Sequence, residues 1–386
     1  MTKRTVTILG ATGTIGDNML ALMRTHADKA TLFGVSAHKN EEKFAQIISE
    51  FQPQFASISS LSKDSLLPDI CAKHGTELLI GDDAHELLAK MSVDLVVGAI
   101  VGMAGLPSVF AAVEAGQVIA LANKESLVSA GHLIMPRLQQ TGAKIIPVDS
   151  EHNAIFQCLM GQERDKVRTI ALTASGGPFL HTDTSLLSQM TKADALAHPN
   201  WVMGAKVSID SATMMNKGLE LLEAAHLFAA TSTELTAIIH PQSLVHGLVD
   251  FQDGSVISHM ATADMKLPLG FALGLETRIE TGTKPLDLLS IGQLTFMDID
   301  RDKYPCYYLA KQVIDEAPSY AIALNAANEV AVEAFLSDKI AFTDIAKVVE
   351  SCLSQDISAD VSNMGAIFAL DAQAREMSRS YINTKL

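Results

Sequence analysis

Positive charge is in short supply. The chain carries 29 lysines and arginines against 44 aspartates and glutamates, a formal charge of −15 over 386 residues. A nucleic-acid partner requires a basic footprint, so this balance argues against one. Any phosphate the chain binds is expected to be small and held by local donors. Aromatic residues make up only 5%, with a single tryptophan, Trp201. Cysteine is scarce too: Cys71, Cys158, Cys306 and Cys352 are scattered, with no metal or redox spacing. That excludes a disulfide framework and fits reduced thiols in a cytoplasmic protein. No charged leader with an apolar core and cleavage site precedes the first strand pattern. One apolar stretch, Val93 to Gly116, is broken by Asp94, Pro107 and Glu114, so a buried strand, turn and helix is expected there and no membrane span. Internal repeats and low-complexity tracts are also missing. What remains, 48% apolar and 19% charged, is a folded globular chain with room for two or three domains.

The first informative stretch is Gly10-Ala11-Thr12-Gly13-Thr14-Ile15-Gly16. It follows an apolar run from Arg4 to Leu9 and precedes a helical pattern. A strand, a glycine-rich turn and a helix open a dinucleotide-binding βαβ unit. Gly10 permits the tight turn, Gly13 a close approach of backbone to pyrophosphate, and Gly16 close packing of helix on strand. The spacing is G-x-x-G-x-x-G, a departure from G-x-G-x-x-G. Further strands are expected at Thr31–Ser36, Phe55–Ile58, Val93–Ile100, Val118–Ala122 and Lys144–Val148, with helices between them. Such alternation implies a parallel sheet covered on both faces. After the second strand come Ser36-Ala37-His38-Lys39-Asn40. An acid there would accept from a ribose 2′-hydroxyl; a hydroxyl, an imidazole, an ammonium and an amide suit a 2′-phosphate, which points to NADPH.

The second informative stretch runs from Asp149 to Glu223. Asp149 and Glu151 follow the strand Lys144–Val148, and on an extended backbone residues two apart point the same way. Glu220 and Glu223 sit three apart on a helical pattern and share a face. Hard oxygen ligands from two segments make the start of a magnesium or manganese site. Between them lie Ser175-Gly176-Gly177-Pro178 and Ser211, Asn216 and Lys217. Backbone N–H groups made accessible by glycine, together with hydroxyl, amide and ammonium donors, suit a phosphate monoester. Three further strands are expected at Ala237–His240, Ser243–Phe251 and Ser255–Ala261, the last two joined at Gln252-Asp253-Gly254. Helices are expected from Pro305 onward.

Several motifs occur in fixed order: Gly-Ala-Thr-Gly-Thr-Ile-Gly (10–16), Leu-Ala-Asn-Lys-Glu-Ser (121–126), Pro-Val-Asp-Ser-Glu-His-Asn (147–153), Ala-Ser-Gly-Gly-Pro-Phe (174–179), Asp-Ser-Ala-Thr-Met-Met-Asn-Lys-Gly-Leu-Glu (210–220), His-Pro-Gln-Ser (240–243) and Leu-Asn-Ala-Ala-Asn-Glu (324–329). Together, over nearly the whole chain, they resemble the 1-deoxy-D-xylulose 5-phosphate reductoisomerase family. The resemblance implies an α/β architecture: an N-terminal Rossmann-like parallel sheet (1–148), a central α+β catalytic domain (149–275), a connector (276–301) and a C-terminal helical bundle (302–386). It implies a cytoplasmic homodimer that reduces a sugar-phosphate substrate with NADPH and a divalent cation, Mg2+ or Mn2+ with Co2+ as an alternative. By position it assigns Asp149, Glu151 and Glu220 to the metal. Lys124, Ser150, Glu151, Ser175, His198, Trp201, Ser211, Asn216, Lys217, Glu220 and Met265 fall to the substrate, with Glu151, Lys124 and His198 as the catalytic candidates. Gly10, Thr12, Gly13, Thr14, Ile15, Gly16, Ser36, His38, Lys39, Asn40, Asn123, Glu125 and Gly204 fall to the cofactor. His198, Trp201, Met203 and Gly204 belong to a loop expected to close over substrate.

The segment Ala263 to Pro268 departs from the family pattern, with alanine for a usual proline and lysine for a common arginine. Val202 replaces a polar residue, and Gly274-Leu275 stand where Trp-Pro is expected. These touch loop rigidity and the packing near Met265; none removes a ligand. Two rival readings are a semialdehyde dehydrogenase, which needs an activated cysteine, and a non-catalytic nucleotide sensor, which the intact acids and phosphate donors oppose.

Overall fold

The computed structural model describes residues 3–197, 204–275 and 277–386. The chain divides into two compact units, the first comprising Met1–Ser126, Ile134–Asn153 and Asp264–Thr283 and the second Leu127–Leu133, Ala154–Ala263 and Lys284–Leu386.

In the first unit seven strands form one sheet: β1 (Arg4–Leu9), β2 (Ala30–Ala37), β3 (Phe55–Ile58), β4 (Glu77–Ile80), β5 (Leu95–Gly98), β6 (Val118–Leu121) and β7 (Lys144–Pro147). Their order is β4-β3-β2-β1-β5-β6-β7 and every pairing is parallel. The order reverses between β1 and β5, the switch point at which doubly wound sheets bind ligands. Val6, Ile8, Val35, Val97, Ile119 and Ala120 are all fully buried, as expected of strands covered on both faces. β4 was not among the expected strands. It is a four-residue edge strand, Glu77-Leu78-Leu79-Ile80, half-buried or exposed throughout, and its short apolar run is also compatible with a helix segment.

The segment Asp264–Thr283 belongs to this unit and not to the central region in which chain order would place it. Its helix Lys266–Gly274 packs against Thr14–Thr25. The Arg4 guanidinium donates to the Leu273 carbonyl (2.5 Å), and His26 Nε2 lies 2.6 Å from the Glu280 carbonyl. Asp264 is held by the Thr283 hydroxyl (3.1 Å).

The second unit has a mixed sheet in the order β11-β10-β8-β9, from β8 (Val167–Ala174), β9 (Leu235–Ile239), β10 (Val245–Phe251) and β11 (Val256–Met260). β8 and β9 are parallel; β10 runs antiparallel to β8 and β11. The expected Asp-Gly connection is present, with Gly254 at φ +86° and the Phe251 N–H bonded to the Ser255 carbonyl (2.9 Å). The connector is not a bare linker: Met297 exchanges two backbone bonds with Ile239 (2.8 and 2.9 Å). Four helices follow, Pro305–Val313, Pro318–Leu336, Asp344–Leu353 and Met364–Lys385. Pro318–Leu336 is apolar on nearly every side and buried accordingly. These helices share a core with the region before them, as when Phe342 packs edge-on against Phe179 (4.9 Å). None of the helices among the described residues is long and apolar enough to cross a membrane.

Candidate active site

The glycine turn closes on the switch point. Gly10 has φ +87°, and a Cβ there would stand 2.7 Å from the Ala99 carbonyl oxygen, just past β5. A Cβ on Gly16 would lie 2.3 Å from the Ala11 oxygen, so helix Thr14–Thr25 can approach only without a side chain. Gly13 is the N-cap of that helix and provides no side-chain cap. It is exposed, with no atom outside its chain neighbours nearer to its Cβ position than 3.6 Å. An open backbone at the start of a twelve-residue helix suits a pyrophosphate; Thr12, Thr14 and Ile15 complete the turn, half-buried or exposed.

Two of the expected cofactor residues have partners within the protein. Ser36 is fully buried, its Oγ accepting the Gly10 N–H (2.8 Å) while its carbonyl accepts from Ala11 (2.8 Å). It fixes the turn from a buried position in β2. His38, Lys39 and Asn40 lie beyond the strand and are exposed; Asn40 also caps the helix Glu41–Phe51 through the Lys43 N–H (3.1 Å). The Asn123 side chain is likewise committed within the protein. Its amide donates to the carbonyls of Ile100 (2.5 Å) and Gly102 (2.9 Å), and its oxygen caps helix Lys124–Thr141 at Ser126 (2.7 Å). It ties the end of β6 to the loop after β5. Glu125 is buried beside it in sequence.

The acid pair after β7 is arranged otherwise than on an extended strand. Helix Ser150–Leu159 begins at once, and the Asp149 carbonyl accepts the Asn153 N–H (2.8 Å). Asp149 is therefore the residue preceding the helix, and Glu151 lies in its first turn. Their ligand oxygens still lie within 4.8 Å of each other. Both acids gain from the helix N-terminus, which is why a helix can start here. Lys124 Nζ pairs with Asp149 (2.7 Å), and Ser150 Oγ donates to Glu151 (2.5 Å). Met265, also in the first unit, is half-buried just ahead of the helix Lys266–Gly274.

In the second unit the proposed anion donors gather. Ser175-Gly176-Gly177 leaves β8 with both glycines at positive φ, +84° and +67°. Ser175 Oγ accepts the Gly177 N–H (3.1 Å), and the buried Tyr304 hydroxyl donates to the Gly176 carbonyl (2.9 Å). A Cβ on Gly177 would stand 2.6 Å from the Ser211 carbonyl oxygen, so the turn lies directly on the helix that carries Ser211. The stretch from 205 to 217 is helical on both sides of one break. It forms helix Ala205–Ala212 and helix Met215–Leu227, joined at Met214 with φ +59°. Ser211 closes the first helix and Asn216 and Lys217 open the second. Both Asn216 Nδ2 and Lys217 Nζ bond to the Glu220 carboxylate. Lys217 (3% exposed), Glu220 and Glu223 (1% each) are buried. Gly204 precedes helix Ala205–Ala212 and is exposed, with open space at its Cβ position. His198, Trp201 and Met203 lie outside the described residues, and with them the covering loop.

All four cysteines are buried and free. Burial pushes the Cys158 thiol up to about 11, the reverse of the activation a cysteine nucleophile needs. The semialdehyde dehydrogenase reading loses its reagent. One feature escaped the sequence reading: Asp210 and Asn328, from separate motifs, are hydrogen-bonded to each other (2.8 Å).

Models of three segments match the chain. They are the 1-deoxy-D-xylulose 5-phosphate reductoisomerase model over residues 6–131, its C-terminal domain over 145–228 and the DXP reductoisomerase C-terminal domain over 260–377. The chain is 44% identical to the 1-deoxy-D-xylulose 5-phosphate reductoisomerase of Tolumonas auensis, over 98% of each chain. It is 45% identical to that of Ralstonia pickettii, over 98% of this chain and 97% of the relative. The Zymomonas mobilis enzyme in complex with NADPH superposes with a TM-score of 0.93 at 40% identity, covering 99% of this chain and all of that one. A reductoisomerase bound to NADPH, fosmidomycin and magnesium superposes at 0.91 with 40% identity, over 98% of both chains.

Proposed function

Because the chain belongs to the 1-deoxy-D-xylulose 5-phosphate reductoisomerase family, we infer that it converts 1-deoxy-D-xylulose 5-phosphate to 2-C-methyl-D-erythritol 4-phosphate. This is a step of non-mevalonate isoprenoid biosynthesis. It is an NADPH-dependent oxidoreductase that requires a divalent metal, Mg2+. The observation that carries the reading is full-length identity to such enzymes above 40%, together with a second unit that packs a Ser-Gly-Gly turn onto the Ser211 helix.

The residues fit both groups. The uncapped helix end at Gly13, the open Gly13 backbone and the exposed His38, Lys39 and Asn40 would hold the dinucleotide. Asp149, Glu151 and Glu220, the residues expected at the metal, are all carboxylates, the donor type Mg2+ takes; Mn2+ is a second candidate on the same chemistry. When bound, NADPH supplies a hydride and the cation supplies positive charge against developing negative charge on substrate oxygens.

The chain's own part is binding and orientation. Ser175, Ser211, Asn216 and Lys217 bind the phosphate and thereby place the carbon skeleton. Ser150, next to Glu151, orients that carboxylate through its hydroxyl. Lys124 and Glu151 are the groups placed to hold or move a proton. The loop of His198, Trp201 and Met203 excludes water, and Met265 contributes an apolar contact. A homodimer in the cytoplasm completes the proposal; four buried free thiols fit that compartment.

The test is oxidation of NADPH by the purified chain with 1-deoxy-D-xylulose 5-phosphate, with and without Mg2+. Turnover only when all three are present is expected. No oxidation, or oxidation indifferent to the metal, overturns the reading.

A further inference from the structure

The Asp210 carboxylate is 1% exposed. A buried charge needs partners, since leaving it unpaired costs several kcal/mol. Two side chains meet it among the described residues: Lys206 Nζ (2.9 Å), one turn back on the same helix, and Asn328 Nδ2 (2.8 Å), 118 positions away on helix Pro318–Leu336. The Lys206 bond is local and leaves the helix free to turn. The Asn328 bond is not. Asn328 is itself fully buried in a mostly apolar helix, where a buried amide calls for a hydrogen bond. Facing a carboxylate, it must present its NH2 and not its oxygen.

Asp210 is next to Ser211, and the Ser211 carbonyl is the surface on which the Ser-Gly-Gly turn rests. Rotation of helix Ala205–Ala212 about its axis would therefore shift two sets of phosphate donors together. With side-chain tips about 5–6 Å from the axis, a turn of about 10° moves them by about 1 Å. Misplacement of that size is enough to cost up to about 100-fold in a reaction that depends on orientation.

We propose that Asn328 is a positioning residue for substrate: its bond to Asp210 locks the rotation of helix Ala205–Ala212 and so sets the phosphate-binding surface formed by Ser211 and the Ser175–Gly177 turn. It acts through Asp210 and touches no substrate. The proposal rests on the phosphate role given to Ser211 above, and its test separates the two.

Steady-state constants would be measured for wild type, Ser211→Ala, Asn328→Leu, Asn328→Ser and the exchange Asp210→Asn/Asn328→Asp. Inorganic phosphate would serve as a competing anion. Asn328→Leu and Asn328→Ser should raise KM for substrate and the inhibition constant of phosphate in parallel, by about 10-fold or more, the equivalent of one charge-assisted hydrogen bond. KM for NADPH should change less than about twofold, and the exchange should recover part of the loss by restoring an amide–carboxylate bond. Should Asn328→Leu fail to fold, Asn328→Ser and the exchange decide. If Ser211→Ala leaves both constants unchanged, the phosphate reading itself fails. If Ser211→Ala raises them while the Asn328 variants only lower the melting temperature, or shift the NADPH constant equally, the positioning role is overturned.

Discussion

Replacing Gly177 by alanine tests how closely the Ser-Gly-Gly turn is fitted to its helix. Two costs are separable. At φ +67° an alanine occupies left-handed backbone, worth about 1–2 kcal/mol. Its Cβ would also stand 2.6 Å from the Ser211 oxygen and 3.1 Å from the Ala212 Cα. Both are backbone atoms, so a rotamer change offers no relief, and such overpacking costs about 1–3 kcal/mol. The sum is about 2–5 kcal/mol, or a fall in melting temperature of about 4–20 °C for a unit of this size. Gly75→Ala is the control: φ is +70°, but nothing lies within 4 Å of its Cβ, so it should show the first cost alone. Calorimetry or circular dichroism on the three proteins gives the difference. KM for substrate should rise in Gly177→Ala and not in Gly75→Ala. Equal stability losses in the two variants, with KM unchanged in both, would refute the close fit of turn to helix.

Glu220→Gln should abolish most metal-dependent turnover. Because Glu220 and Lys217 form a buried pair, the chelator-treated variant should also be less stable by about 3 kcal/mol, and Mg2+ should no longer raise its melting temperature. Wild-type stability with an unchanged metal requirement would argue against the assignment. Lys39→Ala should weaken NADPH at least 10-fold more than NADH, whereas Ser36→Asp should chiefly unfold the first unit, since Ser36 is fully buried against Gly10; a soluble Ser36→Asp protein with reversed preference would restore the nucleotide role. Burial pushes His226 down to about 4, with a smaller contribution from His132. Its folded pKa lies below its unfolded one, so its contribution is fully present above about pH 6.5 and is lost as pH falls towards 4. Between pH 7.5 and 5 the loss should be about 2 kcal/mol and be absent in His226→Gln; denaturant midpoints at the two pH values that shift alike in both proteins would exclude it.

Some of this protein could be read before any coordinates. The strand-turn-helix opening and the βα alternation were visible because inner parallel strands are continuous apolar runs and helices repeat every 3.6 residues, both local signals. The edge strand β4 is half in solvent, and its three apolar residues are too short a run to tell strand from helix. The identities of the metal acids and phosphate donors were legible as chemistry. Their backbone setting was not: Asp149 and Glu151 looked like a strand end, but a helix begins at Ser150, and the Asp149 carbonyl accepts its Asn153 N–H. Helix Ala205–Ala212 was not legible, because serine and threonine serve at helix ends as readily as in turns, whereas the helical pattern that carries Glu220 and Glu223 was. Ser36 and Asn123 show the limit most clearly. Each has polar groups that suit a nucleotide, and each bonds to distant backbone, Ser36 Oγ to the Gly10 N–H and the Asn123 amide to the Ile100 and Gly102 carbonyls. The bond between Asp210 and Asn328 is a matter of tertiary structure alone, since which of two polar residues faces its partner across a core depends on how the helices pack, and no local pattern of the chain encodes it.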